Sequence, residues 1–528
     1  MRKSIFIVLA LACFACAWSK TAESKLQFDP AKGEPRTMTM LDGSTVNYVA
    51  YERLYYVTNV EDSMYQYLNV YVPETAGSKS PILLRTYVGG YMASRAGGPQ
   101  AGDASGRALK EGMVVVIPGT RGRNSSVIVP KNDKKAGLKK GDKVFTGRAP
   151  NAILDLKAAI RYIRYFDDEI PGDAERIITD GTSAGGAMSS LMGATGNHPD
   201  YEPLLQTMGA APARDDVFAS VCYCPIIDLD HADMAYEWLY NGTDSRQNGN
   251  LDVLAVSDEL KAQFPAYIES LNLRTTDGTP LTADNYLDYI KKELIRSAQI
   301  AKNAGAEIPD SLGFTFSEEA GFGAPPINGG VDSPAGKAPI GGQRRAMAPP
   351  AGGRKQVGDY ILDLDMAKYL NYVVSTQALK TAPAFDTQGV AGQRGSGENE
   401  EFGDWTGSSV NFTDYGAMKA GTTLTPDIKR NVRMMNPMNY IGDENSSVAQ
   451  YWYIRHGSRD RDTSFPVPIN LALKLENAGK SVDFLLAWNR PHSGDYALDE
   501  MFKWIKDCLL MQALKEYEGS KKALIEKY

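Results

Sequence analysis

Histidine is scarce: the 528 residues include four, His198, His231, His456 and His492. A reaction that needs imidazole as its base has few residues to choose from. Cysteine is scarce too. Of five, Cys13 and Cys16 lie in an N-terminal apolar segment, which leaves Cys222, Cys224 and Cys508. These thiols lack the paired spacing of a zinc site. Cys222 and Cys224 share the apolar run Val221–Cys224, and alternate residues of a strand point the same way, so both are expected on one face, buried and free. A disulfide between strand residues two apart would be strained. No basic block stands out beyond the first few residues, and the net charge is -7, which argues against a nucleic-acid partner. No apolar run in the body of the chain reaches membrane-spanning length. With 43% hydrophobic residues, the chain can bury one large core or two moderate ones.

The first residues differ from the rest. Arg2 and Lys3 precede the short apolar run Ile5–Ala12, and small residues follow. This pattern predicts a secretory signal over 1–22 and an exported protein, periplasmic, cell-surface or extracellular. Ala10-Leu11-Ala12-Cys13 is a poor version of the sequence before a lipidated cysteine, so simple export is preferred over a lipid anchor at Cys13 or Cys16.

Strands are expected at Leu68–Val72, Ile82–Arg85, Met113–Ile117, Arg176–Thr179, Phe218–Ile227, Tyr451–Ile454 and Val482–Ala487. Helical spacing appears between them, as in Ala152, Ile153, Leu156, Ala159, Ile160 and Ile163, and again in Tyr496–Leu514. Alternating strand and helix predicts an α/β fold, a mostly parallel sheet with helices on both faces. Between about 233 and 431 the alternation stops. This region is expected to be a lid or cap inserted into a sheet domain made of 23–232 and 432–528, and its Gly/Pro/Ala-rich stretch 321–353 cannot bury a core.

The most informative motif is Gly181-Thr182-Ser183-Ala184-Gly185, placed between an apolar strand and a helix. Glycines on either side of a serine permit the sharp turn that pushes a nucleophile outward. A serine hydroxyl needs a base, and the base needs a carboxylate to fix its tautomer. In hydrolases built on such sheets the chain order is serine, acid, histidine. His492 follows the strand Val482–Ala487 and takes the part of base. His456 follows its own strand but leaves no later strand to carry the acid. The acid should leave the preceding strand, where Asp460 and Asp462 both lie, and spacing alone does not choose between them. A capping role for the helix after Pro466 is the bland alternative. The oxyanion would be held by the N–H of Ala184 and by that of Gly90 or Tyr91, in the glycine-containing loop after Ile82–Arg85. Asp228, Asp230 and Asp233 lack the glycine and terminal glutamate of a calcium loop and read as solvated or capping residues. Neither a metal nor a cofactor is implied.

Thr182–Gly186, Arg455–Asp462 and Pro491–Tyr496 resemble the bacterial tannase family of α/β-hydrolases, enzymes that cut galloyl esters. Cys222–Leu229, Lys380–Asp386 and Glu398–Gly403 extend the resemblance over most of the chain. The resemblance assigns Asp460 to the triad with Ser183 and His492. It assigns Asp462, Lys380 and Glu398 to the hydroxyls of the substrate, an aromatic ester. Two carboxylate acceptors and one ammonium donor suit a ring bearing three adjacent hydroxyls. The Lys380–Glu398 spacing is longer than the family pattern, with the extra residues in the glycine-rich run 389–397. Fungal tannases carry a bridged cysteine pair where Thr182 and Ser493 stand, which sets that branch aside. Rival readings are a feruloyl or general carboxylesterase, a serine peptidase, and a non-catalytic binding protein on the same fold.

Overall fold

The computed structural model describes residues 26–132, 137–317, 358 and 360–527. The expected signal 1–22, with Cys13 and Cys16, and the stretch 321–353 lie outside the described residues.

A nine-stranded sheet forms the centre of the molecule. Its strands are β1 (Glu34–Thr39), β2 (Thr45–Tyr55), β3 (Tyr67–Pro73), β4 (Ile82–Arg85), β5 (Val114–Pro118), β6 (Ile177–Thr182), β7 (Ala219–Tyr223), β8 (Tyr451–Gly457) and β9 (Ser481–Ala487). They lie in the order β1-β2-β3-β5-β4-β6-β7-β8-β9. Pairing from β1 to β3, and of β3 with β5, is antiparallel, while every pair from β5 through β4 to β9 is parallel. The chain is thus an α/β-hydrolase fold with an antiparallel edge.

Because side chains alternate along a strand, the parallel strands feed two cores. Ile82, Leu84, Val114, Val116, Ile177, Cys222, Trp452 and Ile454 enter one, with helices α2 (Asn151–Tyr165), α3 (Ala184–Ala194) and α4 (Pro466–Asn477). Leu83, Val115, Ile178, Val221, Tyr223 and Tyr453 enter the other, beneath α1 (Ala104–Lys110) and α5 (Leu498–Lys527). Burial on both faces is why β3, β4, β5, β7 and β8 are continuous buried runs rather than alternating ones.

One sequence expectation fails here. Cys222 and Cys224 do not share a face, for Cys222 belongs to the first core and Cys224 to the second. The strand stops at Tyr223, and Cys224 takes φ 35°, so period-two alternation no longer applies to it. Both thiols are buried and free.

Between β7 and β8 the chain adds no strand to the main sheet among the described residues. It runs through helices such as Leu229–Tyr240, Leu251–Lys261, Ala283–Asn303, Met366–Thr376 and Gly397–Glu401, with the short hairpin Phe314–Phe316/Ile361–Leu364. The expected boundary at 233 falls inside Leu229–Tyr240. Phe264, Tyr286, Tyr369 and Phe385 of this insertion share one buried cluster with Ile454 and Leu486 of the sheet. No described helix is long and apolar enough to cross a membrane.

Candidate active site

The site assembles at the C-terminal ends of the parallel strands. Ser183 sits between β6 and α3 with φ 62° and ψ -124°. This strained turn is fixed from several sides. The Ser183 N–H donates to the Tyr223 carbonyl at 2.9 Å, and a Cβ at Gly181 would run into the carbonyl of Gly185. A Cβ at Gly185 would approach the Val88 carbonyl to 2.9 Å, so both glycines of the motif are set by close backbone packing.

His492 Nε2 lies 2.8 Å from Ser183 Oγ, and His492 Nδ1 lies 2.8 Å from Asp460 Oδ2. Asp462 Oδ2 is 3.8 Å from the same Nδ1. The structure therefore separates the two carboxylates that spacing left open. Asp460 is buried and faces the imidazole, while Asp462 is half-buried and donates its backbone N–H to Asp460 Oδ1 at 2.8 Å. Neither caps α4, whose first position follows Phe465 without a side-chain cap. Burial opposes ionisation of Asp460, but His456 and His492 outweigh it and hold the carboxyl below its ordinary value. Burial likewise opposes charge on His492, but the bond to Asp460 and the neighbouring Cys224 raise its pKa above that of an ordinary histidine.

The histidine loop is braced on both sides. Arg85 at the end of β4 binds Asp495 at 2.5 Å and also pairs with Asp180 of β6. Ser458 Oγ accepts the Asn489 N–H at 2.8 Å, and Arg459 Nε donates to the Asn489 carbonyl at 3.0 Å. Cβ atoms at Gly457 and Gly494 would strike the Arg490 carbonyl and Thr182 Oγ1, so these glycines let the acid loop, histidine loop and serine turn touch.

Ala184 is the first residue of α3, where the N–H has no partner within the helix. Gly90 and Tyr91 take φ 55° and 56° in the loop after β4. That loop is tied to the serine turn. The Tyr91 hydroxyl donates to the Ile226 carbonyl at 2.6 Å, and the Ile226 N–H donates to the Ser183 carbonyl at 3.3 Å.

Lys380 belongs to the insertion. Its Nζ lies 4.0 Å from the centroid of the Phe385 ring, its backbone N–H donates to the Tyr236 hydroxyl at 3.2 Å, and its carbonyl accepts from Arg246 at 3.0 Å. Burial lowers its pKa, while Glu398 and Asp462 act against that shift. Lys380 thus feels the charge of both carboxylates, and of the three groups named from the sequence Asp462 lies beside His492. Glu398 lies in the first turn of Gly397–Glu401, a helix closed by a Ser396/Asn399 capping box.

The network that places Lys380 and Glu398 was missed in the sequence. Asp233 is not solvated. It is buried, and its carboxylate accepts the N–H groups of Ala384, Phe385 and Asp386 at 2.7, 2.7 and 3.0 Å. Asp386 in turn accepts the N–H groups of Phe412 and Thr413 and the side chains of Asn399 and Asn411. Asn399 Oδ1 takes the N–H groups of Thr387, Gln388 and Ser396. One continuous set of bonds therefore runs from the Lys380 loop to the Glu398 helix. Only Asp386 and Asn399, inside the stretches Lys380–Asp386 and Glu398–Gly403, hinted at it. Asp228 is also buried, not solvated. It is bonded to Tyr267, to His231 at 2.9 Å and to Asn436 at 2.7 Å. Its oxygens and that of Asp230, which accepts from Asn436 at 2.8 Å, are engaged by protein donors. His198 lies away from this site, 3.3 Å from Asp443.

Comparison with known proteins adds the following. The BD-FAE family model matches residues 143–264, which include the serine turn. The native structure of the tannin acyl hydrolase from Lactobacillus plantarum is similar at 36% identity and TM-score 0.75, over 92% of this chain and 99% of that one. A tannin acyl hydrolase in complex with ethyl gallate matches at 36% identity and TM-score 0.75, again over 92% and 99%. Esterase LipC of Mycobacterium tuberculosis is 46% identical over 58 residues, 11% of this chain and 14% of that esterase.

Proposed function

The chain belongs to the tannin acyl hydrolase family of α/β-hydrolases and is a carboxylic-ester hydrolase, and from that premise we propose that it cleaves galloyl and related polyhydroxylated aromatic esters through a serine acyl-enzyme. What supports the acyl preference is the pull of Glu398 and Asp462 on the buried Lys380, together with the 3.8 Å between Asp462 and His492. A ring with adjacent hydroxyls satisfies two carboxylates and an ammonium, whereas an unsubstituted ring leaves them desolvated and unpaired. A related enzyme has been solved with ethyl gallate, in keeping with this reading.

In the proposed reaction Ser183 Oγ attacks the ester carbonyl as His492 Nε2 takes its proton. Asp460 holds the Nδ1–H tautomer and stabilises the imidazolium. N–H groups of Ala184 and of Gly90 or Tyr91 receive the oxyanion. His492 then protonates the leaving alcohol, and water enters by the reverse sequence. The insertion acts as the lid that carries acyl recognition, and the N-terminal segment directs export.

Two measurements test this. Rates on a gallate ester and on the matching unhydroxylated benzoate ester should differ by about a hundredfold or more in kcat/KM, and equal rates would sink the acyl assignment. A fluorophosphonate probe should label Ser183, and an unlabelled, fully folded protein would favour a binding function instead.

A further inference from the structure

The histidine that precedes the acid loop has no place in that scheme. His456 lies in β8 and is fully buried. Its Nδ1 is 3.6 Å from Asp460 Oδ2, the oxygen that also faces His492. Neither ring nitrogen meets a hydrogen-bond partner of good geometry among the described residues, although the nearby Asp460 backbone also favours a protonated ring. The ring meets Phe465 edge-on at a centroid distance of 5.8 Å, so its remaining surroundings include an aromatic wall. A polar ring buried in this way is costly unless one N–H points at an acceptor.

We propose that His456 is a positioning residue for the ester hydrolysis, a second imidazole whose Nδ1–H faces Asp460 and keeps its carboxylate ionised and aimed at His492. The inference rests on the serine-triad reading above. The tautomer follows from the geometry. With the proton on Nδ1, an N–H dipole faces the carboxylate and Nε2 is a bare acceptor. With the proton on Nε2, a lone pair faces Oδ2 and the N–H is buried without an acceptor. Asp460, His492 and Asp462 are the titratable groups that act on His456, and burial keeps the ring neutral against the pull of Asp460. A neutral ring is the useful state, because a cation there would oppose the positive charge that forms on His492 during attack. At 3.6 Å the contact is longer than a hydrogen bond in the free enzyme. It is placed to tighten as His492 becomes charged, as catalytic contacts do on the way to the transition state.

The test uses the full chain with His456→Gln, which keeps an N–H donor, and His456→Leu, which keeps bulk and removes it. His456→Leu should lose about tenfold in kcat or more on both a gallate ester and a simple acetate ester, with KM unchanged. The acidic limb of its kcat/KM profile should move to higher pH, because a carboxylate with one donor fewer binds the His492 proton more tightly. His456→Gln should recover most of the rate. A leucine variant with the parent kcat and an unmoved limb overturns the proposal. So do equal losses in both variants that track an equal fall in Tm, since packing alone would then explain them. Should the leucine variant not fold, proton NMR decides: the parent should show a second downfield imidazole N–H beside that of His492, absent in His456→Gln, and its absence from the parent overturns the proposal. Full activity in Ser183→Ala would remove the triad reading itself. An inactive Ser183→Ala beside an unaffected His456→Leu removes only the role of His456.

Discussion

The groups that would perform the chemistry and the groups that would read the acyl ring are held in place by different means. Ser183, Asp460 and His492 stand just beyond β6, β8 and β9, and sheet register with glycine-permitted backbone contacts fixes their spacing. Lys380 stands on irregular backbone and Glu398 on a one-turn helix, and buried side chains of Asp233, Asp386 and Asn399 fix theirs by gripping loop amides. The first arrangement rests mainly on backbone pairing. The second concentrates its order in a few buried carboxyl and amide groups. Reaction and recognition should therefore fail separately when mutated.

The largest effect should come from the sheet-borne set. Ser183→Ala is expected to lower kcat by about 10⁵-fold on every ester, with little change in Tm. Asp460→Asn should cost about 10⁴-fold, and its pH profile shows the sign of the coupling. A general base works in its neutral form. Burial opposes charge on His492, yet Asp460 and Cys224 raise its pKa, so kcat/KM in the parent falls as pH drops through that raised value. Removing the carboxylate lowers the pKa of His492 and should shift the acidic limb to lower pH. A limb that stays in place in Asp460→Asn would break the assignment of Asp460 as the partner of His492.

The difference between the two regions also explains what could be read from the chain. Strand β4 and the serine turn were legible because buried parallel strands are short apolar runs and the turn needs glycines at fixed offsets. Asp460 and Asp462 could not be ranked by spacing, because which one meets His492 depends on how the loop closes over Asn489 and Arg490. Cys224 was misread because a strand end is not marked by composition, and one residue at positive φ moved it to the opposite core. Asp233 was read as solvated or capping because its partners are backbone amides about 150 residues away, and backbone N–H groups leave no trace in sequence. No strand was expected at the antiparallel edge β1–β2, since its half-exposed residues carry no continuous apolar run.

The next largest effect should fall on recognition. Asp386→Ala takes the acceptor from the Phe412 and Thr413 amides and one of two acceptors from each of the Asn399 and Asn411 side chains. Each orphaned donor costs about 1–3 kcal/mol, so the variant should unfold at clearly lower urea. Its KM for a gallate ester should rise more than tenfold while its rate on a simple acetate ester stays close to the parent. Equal losses on both esters would show that the insertion supports the triad as well, and the separation drawn above would not hold. Lys380→Met is the narrower version. It removes one charged donor, worth about 1.5–3 kcal/mol, and should lower kcat/KM about 10- to 100-fold on the gallate ester with little change on the benzoate. A uniform loss would remove Lys380 from acyl recognition.

The smallest expected effect concerns stability and turns on one buried carboxyl of the insertion. Around the sheet, buried charges come in compensated sets, such as Lys157 and Arg161 on Asp215 at 2.7 and 2.8 Å, or Arg121 on Asp155 at 2.9 Å. In the insertion, Glu401 is fully buried and neither carboxyl oxygen has a hydrogen-bond partner among the described residues. Burial raises its pKa from 4.5 to about 8 even though Arg148 and Arg123 favour the charged form. The folded protein therefore keeps a proton on Glu401 that the unfolded chain gives up near 4.5. Between that value and about 8 the folded state binds more protons, so this group makes the protein less stable as pH rises, and above about 8 its contribution levels off. Glu401→Gln keeps the shape and cannot ionise. Its stability in urea should match the parent in weak acid and exceed it progressively through neutrality into weak alkali, while the rate on a simple ester is unchanged. Parallel stability curves across that window would mean that the arginines already hold Glu401 as a carboxylate, and the insertion would then compensate its buried charge as fully as the sheet does.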